Sequence, residues 1–524
     1  MEEGTIKAVS ADEPKKKVPP QAERLLGYVT EKNCTLFRDQ YDSPYARIMV
    51  EDHWEICALR SVQFALWLKR LFWKIEGKMI YGEAFNKTLG VLEARAFFES
   101  SQFPLANRVT RHDGAIWYDL CDEKHRAIKV VAENGWEIVA VPPIIFRRYR
   151  HQQPIPVPDP TGSVHDIAPF LGNTRNNQQK FLLLLSIISC FIPDIPRPLL
   201  CISGEKGSSK STLSRMLRRI VDPAKPLLLT LPSDRGELAQ QLSHHYFPIY
   251  DNVSHIPAAI SDALCRAVTG DGFSKRQLYT DEEDVIFEYR RCIIINGINV
   301  VVQRPDLLDR SILIDLLPIK KDERRTEESV WEDFEKSLPK ILGFVLNTVS
   351  AAMKKRSQVT VDSLPRMADF AISACAIALG MGVPQEEFLK AYRENISQQN
   401  DEAVHGNPLA SAVFILMEER DSFEDSPSEL LEALQNVAFD EKIDMRSYHW
   451  PKGPQALLRR LKEVQGNLQE VGIRIRYGQI THGRRFITLE KVSSNDATSA
   501  TENKSSSSGG YGGCDSFGDL FSHR

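Results

Sequence analysis

The stretch Gly204-Glu205-Lys206-Gly207-Ser208-Ser209-Lys210-Ser211-Thr212 gathers glycines and hydroxyls around one internal lysine. Those residue types suit the binding of an anion: backbone N–H groups surround it, a lysine adds charge, and a hydroxyl reaches a metal ion. The apolar run Leu199–Ser203 before it reads as a strand, and Lys210–Ile220 after it reads as a helix. Strand, loop and helix in that order are the setting in which a phosphate-binding loop works. All nine residues are therefore candidate nucleotide contacts. Lys210 would reach the β- and γ-phosphates of ATP, and Ser211 would hold its Mg²⁺. One position departs from the usual pattern. Ser209 stands where glycine commonly precedes the lysine, and its small side chain still allows close approach.

About 40 residues further on, Phe247-Pro248-Ile249-Tyr250-Asp251-Asn252 is an apolar run ending in a carboxylate. Asp251 is placed to share the Mg²⁺ shell with Ser211. Asn252 occupies the place where many ATPases carry a glutamate that polarises water, so either Asp251 serves both roles or hydrolysis is slow. A third run, Arg290–Asn299, delivers Asn296 at the end of a buried strand. Asn296 either orients the attacking water or ends the strand in a turn. In Arg304–Ser311, Arg310 is the first candidate and Arg304 the second for an arginine that stabilises γ-phosphate charge in a neighbouring subunit. A surface salt bridge is the alternative for both. The candidate catalytic set is Lys210, Asp251, Asn296 and Arg310.

These residues need a scaffold. From 164 to 320 apolar strands (199–203, 227–231, 247–250, 293–296, 312–316) alternate with helical stretches, which predicts an α/β fold with a parallel sheet and helices on both faces. Residues 321–400 read as a helical subdomain. Upstream, 21–150 reads as a separate α+β domain with a four-strand meander over 107–139. Four prolines between 154 and 160 make 151–163 a stiff linker. Residues 1–20, with Lys15–Lys17, read as a flexible leader. The tail 492–524 reads as disordered, with nine Ser and five Gly among 33 residues.

Composition bounds the rest. The 524 residues carry 66 Lys and Arg against 70 Asp and Glu, so a uniformly basic protein is excluded but a local basic patch is not. Nine scattered cysteines include no CxxC pair, which argues against a disulfide framework or a structural zinc site and fits a reducing cytoplasm. The longest apolar run, Phe181–Ile192, is too short to cross a bilayer, which takes about 20 residues. No apolar signal segment opens the chain, so a cytoplasmic location is expected.

The basic patch lies near the C-terminus. Between Glu441 and Lys491 eleven Lys and Arg oppose five acids, a net charge of +6 inside a chain of net −4. Pro454–Val464 has helical spacing with Leu457, Leu458 and Leu461 on one face and Arg459, Arg460 and Lys462 off it. Ile473–Tyr477 alternates apolar residues with Arg474 and Arg476. A turn over Gly478–Gly483 then leads into Arg484 and Arg485. Helices followed by a basic hairpin over 408–491 predict a winged helix-turn-helix that meets duplex DNA through Arg459, Arg460, Arg474, Arg476, Arg484 and Arg485. The alternative is the same module used only for protein contacts. Trp450 and His449 are expected to pack the module. Within the tail, Cys514–Phe521 could dock a replication partner or do nothing.

The four elements in this order resemble the AAA+ ATPase of hexameric replicative helicases. The resemblance is nearest to superfamily 3 and to the helicase half of phage and poxvirus primase–helicases, including proteins of bacterial integrative elements and prophages. Val268–Tyr279 is similar to the family's hairpin, which puts Lys275 and Arg276 at positions facing single-stranded DNA. The resemblance implies a sensor at Asn296, an arginine finger at Arg310 and a homo-hexameric ring. Ser209 is closer to the minichromosome-maintenance helicases, and Arg366 in Leu364–Asp369 corresponds to a second sensor. The expected function is that of an ATP-dependent DNA helicase or translocase acting in replication of a mobile element. Two rivals remain: a DNA-bound ATP switch that does not unwind, and a primase–helicase whose 21–150 region makes primers. No primase zinc ligands or catalytic acidic cluster stand in that region.

Overall fold

A computed structural model describes residues 18–270, 273–276, 284–287, 289–302, 304–447, 449–479 and 485–492. Lys15–Lys17, Arg484 and the tail segment Cys514–Phe521 lie outside the described residues. The chain divides into two compact units. One holds the described residues up to Ala106 together with Pro143–Arg147, and the other holds Asn107–Pro142 and the described residues from Arg148 onward.

The first unit opens with α1 (Gln21–Tyr28) and an antiparallel sheet in the order β1 (Cys34–Arg38), β2 (Pro44–Val50), β3 (His53–Ala58). α2 (Val62–Glu76) and α3 (Gly82–Phe98) come next. In α2, Phe64, Leu68 and Phe72 recur every four residues and are fully buried, meeting Leu92 and Ala96 of α3 and Ala46 and Ile48 of β2. The Ser61 side chain accepts from the Phe64 N–H at the start of α2, and Gly77 in a left-handed conformation ends it. β4 (Leu105–Ala106) pairs with β9 (Ile145–Phe146) in the same unit.

The second unit begins with the meander β5 (Val109–His112), β6 (Ala115–Asp119), β7 (Ala127–Val131) and β8 (Gly135–Val139). The domain boundary expected at the prolines is therefore corrected to Ala106/Asn107. Packing is the reason: Ile116, Tyr118, Ile128 and Val130 of the meander bury themselves in the same core as the central sheet. The proline stretch runs along that core rather than free of it. Ile155 is buried there, and the Asp159 N–H donates to the Pro339 carbonyl at 2.8 Å.

After α4 (Val164–Ile167) comes α5 (Asn177–Ser189), whose apolar residues are buried all round. The chain then forms β10 (Leu199–Gly204), α6 (Lys210–Val221), α7 (Arg235–His244), β11 (Ile249–Tyr250) and α8 (Ala258–Thr269). A short hairpin of β12 (Phe273–Arg276) and β13 (Asp284–Phe287) precedes β14 (Ile294–Asn296), α9 (Pro305–Leu308) and β15 (Ser311–Leu316). The four core strands are all parallel, in the order β11-β14-β10-β15. Being covered on both faces, they read as continuous apolar runs. The strand expected over 227–231 shrinks to one bridge, Leu229 to Tyr250. Three helices, α10 (Glu327–Lys355), α11 (Ala368–Gly380) and α12 (Gln385–His405), pack on α5 and extend the same core.

The C-terminal part has its own core. Its elements run α13 (Pro408–Glu418), β16 (Ser422–Asp425), α14 (Pro427–Asp440), α15 (Pro454–Glu470), β17 (Ile473–Gln479) and β18 (Arg485–Lys491), with an antiparallel sheet in the order β16-β18-β17. Trp450 is buried in that core as expected, whereas His449 is exposed. Among the described residues no helix is long and apolar enough to cross a membrane.

Candidate functional site

β10 brings Gly204 to the carboxyl-terminal end of the sheet with φ 154°, and the chain turns through Gly207 at φ 86° before α6 starts at Lys210. A Cβ on Gly204 would lie 2.5 Å from the Leu316 carbonyl oxygen, so the close passage of the loop over the end of β15 admits only glycine. Ser209 sits in the left-handed region at φ 59°, ψ 29°, which is where the usual glycine would be at ease. The Lys210 ammonium donates to the carbonyls of Gly204 (2.6 Å) and Glu205 (3.0 Å) and to Ser208 Oγ (3.3 Å). Partial burial lowers its pKa, and Asp251 opposes that shift.

Asp251 comes directly after β11, two strands away from β10, yet its carboxylate accepts from Ser211 Oγ at 3.0 Å in the first turn of α6. Between them stands β14, whose last residue is Asn296. Its carboxamide is buried and engaged at both ends: Oδ1 accepts from the Asn252 N–H at 2.9 Å, and Nδ2 donates to Ser214 Oγ at 2.9 Å. Asn296 thus ties the turn after Asp251 to the second turn of α6, and bears on the site through those two groups. Asn252 takes φ 54°. Asparagine tolerates that conformation where a glutamate would be strained.

The two expected sensor and finger arginines do not join this group. Arg310 lies just before β15, and the Leu199 N–H donates to its carbonyl at 2.8 Å. That is the opposite end of β10 from the loop, about 17 Å along the strand. Its guanidinium pairs with the Asp306 carboxylate. Arg366, the expected second sensor, lies at that same end: it pairs with Asp306 (2.8 Å) and Asp309 (2.6 Å), beside Arg310. Arg304 binds the Ala258 carbonyl (2.9 Å) and Asp262 (3.2 Å).

Lys275 and Arg276 fall on β12, where Lys275 is opposite Val285 and Arg276 opposite Asp284 of β13. Along the chain, this strand pair therefore comes between the Asp251 strand and the Asn296 strand. In the C-terminal part Arg459 and Arg485 are exposed, and Arg474 is half-buried. Arg476 pairs with Glu490 at 3.2 Å. Arg460 is largely covered and pairs with Glu463, three residues along α15, at 2.7 Å.

Two residues near the site carry no motif in the sequence. Ser214 lies one helical turn beyond Lys210, a spacing that marks the same face of α6. Arg324 has no such signal, and only the fold brings its Nη2 to 3.8 Å from where a Cβ on Gly207 would stand.

Residues 166–402 match the family model described as the actinomycete integrative conjugative element replication protein, and residues 409–506 match the AICE RepA C-terminal domain. The first span contains the loop, Asp251, Asn296, Arg310, Arg324 and Arg366, and the two spans make up more than half of the chain. The chain belongs to this replication protein family. No curated protein matches it. Among solved structures, this replication protein is similar to the apo C-terminal region, residues 305–718, of NrS-1. Two such structures show TM-scores of 0.39 at 11% and 13% identity, covering 90% and 91% of this chain and 98% and 100% of that one. A third gives 0.36 at 11% identity, covering 90% of this chain and 98% of that one. Likeness at that level carries no argument about the site.

Proposed function

We propose that this replication protein is an ATP-driven motor that moves on DNA as a ring while its mobile element is replicated. The observation that carries the reading is the meeting of the Ser211 hydroxyl with the Asp251 carboxylate at the start of α6, beneath a glycine-bent loop. A hydroxyl and a carboxylate are hard oxygen donors, and that set suits Mg²⁺, which keeps several waters of its own. Ser211 and Asp251 would hold the ion. Bound Mg²⁺ supplies charge neutralisation across the β- and γ-phosphate oxygens.

The remaining work falls to the chain. The loop amides and the α6 N-terminus would bind the phosphates of ATP, and Lys210 would exchange its loop carbonyls for phosphate oxygens. Asn296 keeps Asn252 and Ser214, and with them Asp251 and Ser211, in register. The sheet order, with the loop on an inner strand and Asn296 on the strand between it and the Asp251 strand, supports an AAA+ core of the superfamily 3 kind. Arg310, out of reach of its own loop, would serve the neighbouring subunit, which favours a homo-hexamer. The element order α13-β16-α14-α15-β17-β18 supports a winged helix-turn-helix, with Arg459 on the groove helix and Arg476 and Arg485 on the wing meeting DNA.

Lys210→Ala should abolish ATP turnover while duplex binding through 408–491 stays within about twofold of wild type. A Lys210→Ala protein that hydrolyses ATP at the normal rate overturns the reading. One observation favours a second reading, a DNA-bound ATP switch: Asn252 puts a carboxamide where a water-polarising carboxylate is usual. Strand displacement on a forked duplex separates the two, because a switch changes affinity without unwinding.

A further inference from the structure

We infer that Arg324 is a second phosphate-binding cation, supplied by the same chain and directed at the terminal phosphate of the nucleotide; this rests on the ATP reading of the loop. Three observations carry it. The guanidinium is held against the loop's apex, with Nη2 3.8 Å from the point a Gly207 Cβ would occupy. It is held by a built connection: the Ile319 N–H donates to the Gly207 carbonyl at 3.2 Å, and Arg324 Nε donates to the Ile319 carbonyl at 3.3 Å. Both Nη groups are left without a hydrogen-bond or ion-pair partner among the described residues.

Of the other cations nearby, Lys206 and Lys321 are exposed single charges without a guanidinium fork, and four more are committed. Arg215 pairs with Glu327 (2.6 Å), Arg325 with Asp333 (2.5 Å), Lys320 with Glu323 (3.5 Å) and Arg175 with Asp315 (3.8 Å). Arg366, the residue whose type and family position suggested a sensor, is held at the far end of the sheet by Asp306 and Asp309. A triphosphate carries more charge than Lys210 alone balances, and a guanidinium fork matches phosphate oxygens in a way an ammonium does not. Lys210 and the ion at Ser211 would reach the β- and γ-phosphates from the α6 side, and Arg324 would meet the terminal group from the Gly207 side of the loop.

The test is titration of the full-length protein with ATP and with ADP, both in Mg²⁺. Arg324→Ala should weaken ATP binding by about tenfold or more and leave ADP within about twofold, and Arg324→Lys should recover part of the ATP affinity. Equal weakening of ATP and ADP, or no weakening of either, overturns the inference, since a residue that only braces the loop would move both nucleotides alike. Failure of the site reading itself looks different: wild type and Lys210→Ala would then bind ATP equally poorly. Arg324 is exposed, so both variants should unfold at the wild-type temperature.

Discussion

Ser209 and Asn252 both sit in left-handed backbone on either side of the Ser211–Asp251 contact, and each replaces the residue most nucleotide-binding loops would show. A non-glycine residue there costs about 1–2 kcal/mol, and glycine's extra freedom in the unfolded chain returns about half of that. Ser209→Gly should therefore leave ATP affinity unchanged and raise stability by less than about 1 kcal/mol, read by thermal denaturation. A clear loss of affinity would mean that the Ser209 hydroxyl contacts the ligand. Asn296 is different, because its carboxamide is buried and bonded at both ends. Asn296→Ala strands the Asn252 N–H and Ser214 Oγ, at about 1–3 kcal/mol of stability. Its kcat should fall further than its ATP affinity, since the phosphate contacts remain while Asp251 loses its brace; an affinity loss equal to the kcat loss would contradict that.

At the scale of elements, one buried carboxylate binds the meander to the core. Asp222, at the end of α6, accepts from Arg108 Nε (2.8 Å), from Arg218 (3.2 Å) and from the N–H groups of Tyr246 and Phe247 (3.1 and 3.2 Å). Burial alone would raise its pKa, but Arg218 and Arg108 hold it well below the usual carboxylate range. Removing one partner of such a group costs about 3–5 kcal/mol, so Arg108→Ala should destabilise the second unit on that scale in chemical denaturation. Next to it the rings of His151 and His245 lie with their centroids 3.8 Å apart, tilted by 33°. Burial, with Arg218 nearby, pushes them down to about 4 and about 3. A histidine whose folded pKa is lowered gives stability that is complete above its unfolded value near 6.5 and is lost as the pH falls towards the folded one. The melting temperature should therefore drop between about pH 6.5 and 4, and His151→Phe should flatten that slope. Apart from the Arg218–Asp222 pair four residues apart, this network is not legible in the sequence, because Arg108, His151 and His245 are far from Asp222 and obey no spacing rule. Legible features have local physics: the 199–212 strand, loop and helix, the meander turns, and the four-residue rhythm of α2. The boundary near 151 misleads because prolines also line a core, and the place of Arg366 is not legible because motif order does not say which end of the sheet a side chain faces.

At the scale of the whole molecule, the distance between Lys210 and Arg310 decides whether the protein works alone. They lie at opposite ends of β10 and β15, so no side-chain movement brings Arg310 to its own loop. If Arg310 acts at all on phosphate, it acts on another copy, and a closed ring gives every copy such a neighbour. Arg310→Ala should then bind ATP normally and hydrolyse it at least about a hundredfold more slowly. Lys210→Ala should be equally inactive for the opposite reason. Mixing the two inactive proteins discriminates, because an Arg310→Ala subunit still offers an intact loop and a Lys210→Ala subunit still offers an intact arginine. In an equal random mixture about a quarter of the interfaces pair those two intact halves, so ATPase activity should return to roughly that fraction of wild type. Activity that stays at zero after the subunits have exchanged would mean that each chain completes its own site or that Arg310 only anchors Asp306.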